Sequence, residues 1–97
     1  MIVNVRMIAF MDPPLIRQVQ IPDDTPPEGV LDRTFHFGQN DFQPIPNICS
    51  VSVGDVIEYA GKLHMVAPMG FREITEDEYK EVLALPRRDR SLHLFGS

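Results

Sequence analysis

Residues 50–74 read "SVSVGDVIEYAGKLHMVAPMGFREI" and form the most strongly patterned part of the chain. Apolar and polar residues alternate along them, which is typical of β-strands with one buried face. Glycine-containing pairs interrupt the alternation, as tight turns do, at 54–55, 61–62 and 69–70. Because the intervening runs are joined by such short turns, the pattern predicts antiparallel strands at 49–53, 56–60, 63–67 and 71–74.

The N-terminal segment has the same period of two. Residues 2–10, "IVNVRMIAF", and residues 15–21, "LIRQVQI", alternate on either side of a proline turn at 11–14. Since Pro13 and Pro14 cannot donate hydrogen bonds to a neighbouring strand, they favour a turn there. Residues 2–21 are therefore predicted to form a β-hairpin.

Two segments have helical patterns. In "EGVLDRTFHF", apolar residues fall on one stripe, Asp24 or Thr25 can cap the start, prolines can occupy the first turn, and Gly38 stands at a C-cap position. In "TEDEYKEVLAL", Thr75 and Glu78 form a capping box, and Pro86 ends the helix. Tyr79, Val82 and Leu83 are its predicted buried stripe.

These elements predict an α+β fold with the order β-β-α-β-β-β-β-α. We expect a small bent antiparallel sheet or a partly open barrel, with two short helices covering one face or its ends. Residues 1–86 are predicted to be a single domain. Residues 87–97, "RRDRSLHLFGS", are a basic and then apolar C-terminal tail. Leu92, Leu94 and Phe95 in this tail could dock as an edge strand on this molecule or mediate a homodimer.

Composition narrows the function classes. The 97 residues carry a formal net charge of −5, which disfavours general nucleic-acid binding because an acidic surface repels phosphates. The single cysteine, Cys49, cannot form an intrachain disulfide, and its place among alternating apolar residues predicts burial. No apolar run approaches the length of a membrane span, and the N-terminus lacks the pattern of a signal peptide, so we expect a cytoplasmic protein without membrane contact.

The sequence offers no pattern for catalysis, a metal or a cofactor. His36, His64 and His93 do not have the spacing of metal ligands, and a phosphate-binding glycine loop and a serine nucleophile motif are both absent. A metal-free nuclease that uses two histidines is the weaker alternative. We therefore expect a protein that is not an enzyme and that uses no cofactor.

Three groups of residues are candidate binding sites. The first is a polar loop that ends on an aromatic anchor; its members are His36, Gln39, Asn40, Asp41 and Phe42. The second is an acidic face on and before the second helix, comprising Glu73, Glu76, Asp77, Glu78 and Glu81. The third is a concave site on the strands, comprising Asp55, Tyr59, His64 and Phe71. Each group also has a structural interpretation: polar loop residues satisfy a helix end, and Asp55 accepts backbone hydrogen bonds after a positive-φ Gly54.

The motifs also carry a resemblance. "FGQNDF" followed by the 50–74 stretch resembles a group of small uncharacterised bacterial, plasmid and phage proteins that share a polar loop and an S-x-S-V-G-D-V-I core. This resemblance covers most of the chain after residue 35 and implies a mobile-element origin, but no known chemistry. Residues 53–57 are also similar to the strand entry of PUA-type and ASCH-type barrels, which implies RNA binding; the chain lacks the basic groove those barrels use.

The sequence thus favours a non-enzymatic binding module that acts by contact with another protein, as a mobile-element accessory or anti-defence protein. In this hypothesis the acidic face mimics phosphates and occupies a basic channel of the partner. The alternative is a barrel that binds a small ligand or single-stranded nucleic acid at the concave site.

Overall fold

The computed structural model describes residues 1–11, 13–40 and 48–85. The predicted tail and residues 41–47 lie outside these ranges. The described elements, in chain order, are β1 (Ile2–Met7), β2 (Leu15–Gln20), a 3₁₀ turn (Pro27–Gly29), α1 (Val30–Phe37), β3 (Val56–Tyr59), β4 (Lys62–Val66), β5 (Phe71–Ile74) and α2 (Glu76–Leu83). No helix in the described ranges is long and apolar enough to cross a membrane.

The five strands form one open antiparallel sheet with the order β2-β1-β3-β4-β5. The predicted α+β class, antiparallel sheet and two helices are confirmed. β1 pairs with β2 in the N-terminal hairpin, and Val5 of β1 lies opposite both Arg17 of β2 and Ile57 of β3. The C-terminal hairpins extend the sheet from β3 to β5. The N-terminal hairpin is therefore fused to the patterned 56–74 segment through one long-range pairing, β1 with β3.

The sheet buries both of its faces, each under one helix. Val56 and Ile57 are adjacent in β3, so they point to opposite faces, and both are fully buried. Ile57 belongs to the core cluster that includes Val30 of α1, whereas Val56 belongs to the cluster that includes Val82 of α2. The expectation that the helices cover one face or its ends was wrong in this respect: α1 and α2 lie on opposite faces.

The first helix begins later than the sequence suggested. Pro27 occupies the first position of the 3₁₀ turn, as expected for a residue without an N–H donor, but no side chain caps the start. The hydroxyl of Thr25 instead donates to the carbonyl of Pro22. Gly38 does end α1, although its φ is −77° rather than positive. A Cβ on Gly38 would lie 2.5 Å from Val51 Cγ2, so close packing requires glycine here.

The strand predicted at 49–53 is wrong. Val51 is buried, but Cys49 and Val53 are exposed, which also overturns the expected burial of Cys49. The amide of Val51 donates to the carbonyl of Gly38, and Ser52 enters a turn with Asp55. These bonds tie the segment to the end of α1 instead of to a neighbouring strand.

Local turn and cap chemistry explains the C-terminal elements. The β3–β4 turn consists of Ala60 and Gly61, both with positive φ, and not of the predicted pair 61–62. Such a two-residue turn matches the twist of the strands it joins. At α2, Thr75 and Glu78 form the predicted capping box. Val82 is buried, while Tyr79 and Leu83 are half-buried against the same core cluster.

The buried carboxylate of Asp55 joins three parts of the chain. Its Oδ1 accepts hydrogen bonds from the amides of Ile8 and Ala9, each at 2.9 Å, and its Oδ2 accepts one from Ser52 at 2.8 Å. Gly54 precedes it with φ 97°, and the backbone of Asp55 pairs with Val66 of β4. The structural interpretation of Gly54 and Asp55 is therefore confirmed.

Replacing Asp55 is expected to destabilise the protein strongly. Asp55→Asn places an amide N–H₂ where an acceptor is needed, and it should lower the free energy of unfolding by about 1–3 kcal/mol, with a larger loss for Asp55→Ala. Urea denaturation at pH 7 measures both. The exposed Asp24→Asn is the control and should change stability by less than about 0.5 kcal/mol. An Asp55→Asn protein as stable as the control would contradict the account.

Alanine substitutions at Gly29 and Gly38, which flank α1, should have opposite effects on stability. Gly38→Ala forces a Cβ against Val51 and the carbonyl of Thr34, so we expect a loss of about 1–3 kcal/mol. At Gly29 a Cβ would meet its nearest atoms at 3.7 Å and φ is −102°, so Gly29→Ala should be neutral or stabilising by up to about 1 kcal/mol. Thermal unfolding of the two variants compares them directly, and equal losses would refute the packing role of Gly38.

Candidate functional site

The polar loop after α1 directs its first side chains inward. Gln39 Nε2 donates to the carbonyls of Phe35 and Val51, at 2.8 and 3.0 Å. Asn40 Nδ2 donates to the carbonyl of Ile48, and the amide of Asn40 donates to the hydroxyl of Ser50. Both residues thus satisfy backbone groups of the 48–52 segment. His36 is exposed near the end of α1, and Asp41 and Phe42 lie outside the described residues.

A buried arginine supports this loop from the sheet. Arg17 on β2 is 1% exposed, and its Nη1 donates to Asn40 Oδ1 at 2.9 Å and to the carbonyl of Cys49 at 2.8 Å. Burial lowers the pKa of Arg17. The guanidinium therefore links β2 to both ends of the loop, which makes the described part of the loop a packed connection.

The residues of the concave-site prediction have different environments. Both oxygens of Asp55 are occupied by backbone donors, and burial raises its pKa while those donors lower it, with a net rise. Tyr59 and Phe71 are half-buried against the core on the α1 side. His64 lies opposite Ile57 and Glu73 on that face, as the strand register shows. The register thus brings Tyr59, His64 and Phe71 to one face, whereas Asp55 serves the backbone.

Some of the predicted acidic residues line a cleft on the α2 side of the sheet. An open cleft of about 450 Å³ lies where the β3–β4 turn, the end of β5 and the start of α2 come together. We call it the α2 cleft. Its apolar lining comes from Leu63 and Ile74, and its charged residues are Arg6, Glu58, Lys62, Glu73 and Glu76. Two of the five predicted acidic residues line it: Glu76 from the first turn of α2, and Glu73 from the edge of β5, where the strand register turns its side chain towards the α1 face.

The other three acidic residues of that prediction have separate roles. Glu78 accepts from the Thr75 amide in the capping box, at 3.1 Å. Asp77 is exposed in the first turn of α2, and Glu81 is exposed further along the helix. The acidic surface therefore continues outward from the cleft along α2.

Arg6 organises the cleft. Its Nε donates to Glu58 Oε1 at 2.6 Å, and its two terminal nitrogens donate to the two carboxylate oxygens of Glu76, at 3.2 and 3.0 Å. The guanidinium carbon also lies 4.4 Å from the ring centroid of Tyr79, in a cation–π contact. Because Arg6 and Glu58 belong to the sheet and the other two residues to α2, this network fixes the helix over the cleft.

Charge and burial set the ionisation of these groups. The hydrogen bond to Glu76 raises the pKa of Arg6 above its already high value, although burial opposes the rise. The same bond is the main cause that holds the pKa of Glu76 below its usual range. Burial raises the pKa of Tyr79. Arg6 and Glu76 are therefore both charged at neutral pH, which keeps their ion pair intact.

The described residues hold no group suited to metal binding. Among residues 1–11, 13–40 and 48–85, no three His, Cys, Asp or Glu side chains are placed to share a metal ion. His36 and His64 lie on different elements, and His93 lies outside these ranges. The α2 cleft offers charged hydrogen-bonding groups and an apolar floor.

Sequence reasoning missed Arg6, Glu58 and Lys62 as members of the site. In the sequence, Arg6 alternates with apolar residues in the strand at 2–10, Glu58 lies in the strand at 56–60, and Lys62 lies in the turn at 61–62. The sequence did contain an indication. Alternation along residues 2–10 puts Arg6 and the apolar Ile8 on the same face of the strand, and Ile8 is buried in the structure. Burial of the isoleucine means that other parts of the protein cover this face of the strand in part. A partly buried arginine on the same face needs acidic partners, because burying an unpaired charge costs free energy.

Comparisons of the chain with protein-family models, with curated proteins and with solved structures found no match. The geometry of the α2 cleft therefore carries the functional argument.

Removing the Arg6 guanidinium should release Glu76. In Arg6→Met we expect the pKa of Glu76 to rise towards the ordinary value of about 4.3, and the α2 amides to exchange faster. Carboxyl ¹³C titration and hydrogen exchange by NMR measure both. Because the folded pKa of Glu76 is lowered, its contribution to stability is present above the ordinary value and is lost as pH falls through the folded value.

Arg33→Met, on the exposed side of α1, is the matched control and should leave Glu76 unchanged. The network assignment fails if the titration of Glu76 is the same in the Arg6 variant and in the control.

Proposed function

We propose that the chain is a non-enzymatic binding module that contacts a partner protein through the α2 cleft. The observation that carries this proposal is the position of Glu76, which lines a cleft with an apolar floor and has a side chain that is 59% exposed. Glu73, 57% exposed, lies at the edge of the same cleft. A basic side chain of a partner can reach these carboxylates from solvent. The adjacent apolar surface of Leu63 and Ile74 offers contact for its aliphatic stem.

The ion pair of Glu73 can be exchanged at small cost. Lys62 and Glu73 are 3.5 Å apart and both more than half exposed, so their pair contributes at most about 1 kcal/mol. A basic group of the partner that is desolvated on binding can replace Lys62 at Glu73. The Arg6–Glu58 pair is much less exposed, with side chains 17% and 30% accessible, and it remains as the frame.

Asp77 and Glu81 extend the acidic surface beyond the cleft along α2. Complementary charge over such a surface raises the rate of encounter with a basic partner and selects against acidic ones. A basic nucleic-acid channel of another protein is one surface of this kind. The resemblance to plasmid and phage proteins supports an accessory or anti-defence role in that setting.

The alternative, a barrel that binds a small ligand or a single strand of nucleic acid, has less support. Single-strand sites need exposed aromatic rings beside basic groups. Tyr59 and Phe71 are half-buried on the α1-side core, and the sheet is open. Anisotropy of a labelled single strand at low salt distinguishes this alternative, because the protein-contact proposal predicts no binding.

Charge reversal at the edge of the α2 cleft and on the adjoining surface of α2 tests the proposal. The partner is first captured from host lysate with the full chain, identified by mass spectrometry and purified. We then expect Glu73→Lys/Asp77→Lys to weaken binding to that partner by at least about tenfold, because two attractive contacts become repulsive. Titration calorimetry measures the affinity at two salt concentrations, and the wild-type affinity should fall as salt rises.

The matched control, Asp23→Lys/Asp24→Lys, makes the same change of net charge on the exposed loop before the 3₁₀ turn. It should retain at least half of the wild-type affinity. Equal binding by the cleft variant and the wild type would overturn the proposal, and so would an equal loss in the control, since net charge alone would then explain the effect.

A further inference from the structure

A second, smaller cavity lies on the opposite face of the sheet, between α1 and the β4–β5 hairpin. Its volume is about 210 Å³, and its lining includes Asp32 and Phe35 of α1, Val66 of β4, Pro68 in the hairpin loop, and Phe71 of β5. We propose that this cavity is a pocket for one arginine side chain of a partner protein. We call it the α1 pocket.

The size of the α1 pocket limits what can enter it. Cavities that hold drug-sized ligands or cofactors have volumes of roughly 300–1,000 Å³, so a volume of about 210 Å³ is too small for a nucleotide or a cofactor. It suits a single long side chain. The occupant is therefore a side chain presented by a larger molecule.

The walls of the pocket are apolar and its rim is exposed. Phe35 and Phe71 are half-buried and pack on the same core cluster, which holds their rings in place. Val53 lines the cavity and is 38% exposed, and Met69 in the adjoining hairpin loop is 94% exposed. Exposed large apolar side chains around a concave site are typical of an interaction surface, and methionine adapts easily to a partner.

One charge selects the occupant. Asp32 is the charged residue of the lining, and it is exposed, so its carboxylate can be reached from solvent. A neutral apolar side chain would leave that carboxylate beside a desolvated surface, which costs free energy. A cation satisfies it, and the two phenylalanine rings add cation–π attraction for the same cation.

Arginine fits these features better than lysine. A guanidinium is planar, is less strongly hydrated than an ammonium group, and stacks on aromatic faces while it donates two hydrogen bonds to a carboxylate. Its aliphatic stem can lie against Val53, Val66 and Pro68. Asp32 and the aromatic rings thus suit the guanidinium, and the aliphatic lining suits the stem of the same arginine.

The α1 pocket is independent of the α2 cleft. Phe35, Val66 and Phe71 contact the core on the α1 side, whereas Leu63 and Ile74 of the cleft belong to the core on the α2 side. A failure of either site therefore leaves the other unaffected, and the two experiments distinguish them.

The test compares two near-isosteric compounds on the full chain. N-acetyl-arginine-N-methylamide carries the cation, and N-acetyl-citrulline-N-methylamide is its neutral counterpart. NMR titrations should show saturable shifts at Val66, Ala67 and Gly70 with the arginine compound, and at least about fivefold weaker binding of the citrulline compound. N-acetyl-lysine-N-methylamide should bind between these two.

Asp32→Asn, an exposed helix position, should reduce the affinity for the arginine compound to that for citrulline, whereas Asp24→Asn should leave it unchanged. Circular dichroism of both variants checks that the fold is retained. The proposal is overturned if the arginine compound causes no saturable shift at the pocket, if citrulline binds equally well, or if Asp32→Asn binds arginine as the wild type does.

Discussion

The carboxylate of Asp55 is the interaction on which the rest of the structure depends. It accepts hydrogen bonds from Ile8 and Ala9 just after β1 and from Ser52 just before β3. Ile8 and Asp55 are almost fully buried, and buried amides need hydrogen-bond acceptors. Because one carboxylate holds both segments, it joins the N-terminal hairpin to the C-terminal meander beside the β1–β3 pairing. Burial raises its pKa, so the free energy of unfolding from this group falls as pH rises from the ordinary value through the raised one.

The position of β3 then determines where binding surfaces can form. β3 lies in the centre of the sheet, and its two buried faces each receive one helix. The α2 cleft lies beside α2 on one face, and the α1 pocket lies beside α1 on the other. The first is built from charged groups around Arg6, and the second from aromatic rings beside Asp32. Two chemically distinct surfaces thus arise from one sheet.

Turns, helix caps and local hydrogen bonds could be predicted from the sequence, whereas contacts between distant residues could not. The capping box at Thr75, the turn at Gly70 and the backbone role of Asp55 follow from residue type and neighbours, and the structure has all three. The strand expected around Val51 failed because Gly38, distant in sequence, and Asp55, three residues after Ser52, hold that segment in a different path. Arg17 shares the buried face of Val19, but nothing local indicates that its partners are Asn40 and the carbonyl of Cys49. Arg6 was missed for the same reason, since its partners are Glu58 and Glu76.

The most direct measurement of the central claim is the detection of scalar couplings across the hydrogen bonds of Asp55. In uniformly labelled protein at neutral pH, the backbone nitrogens of Ile8, Ala9 and Ser52 should all show a coupling to the side-chain carboxyl carbon of Asp55. Three couplings to that one carbon are the predicted result. Couplings from these amides to other carbonyl carbons, with none to the carboxyl of Asp55, would contradict the account.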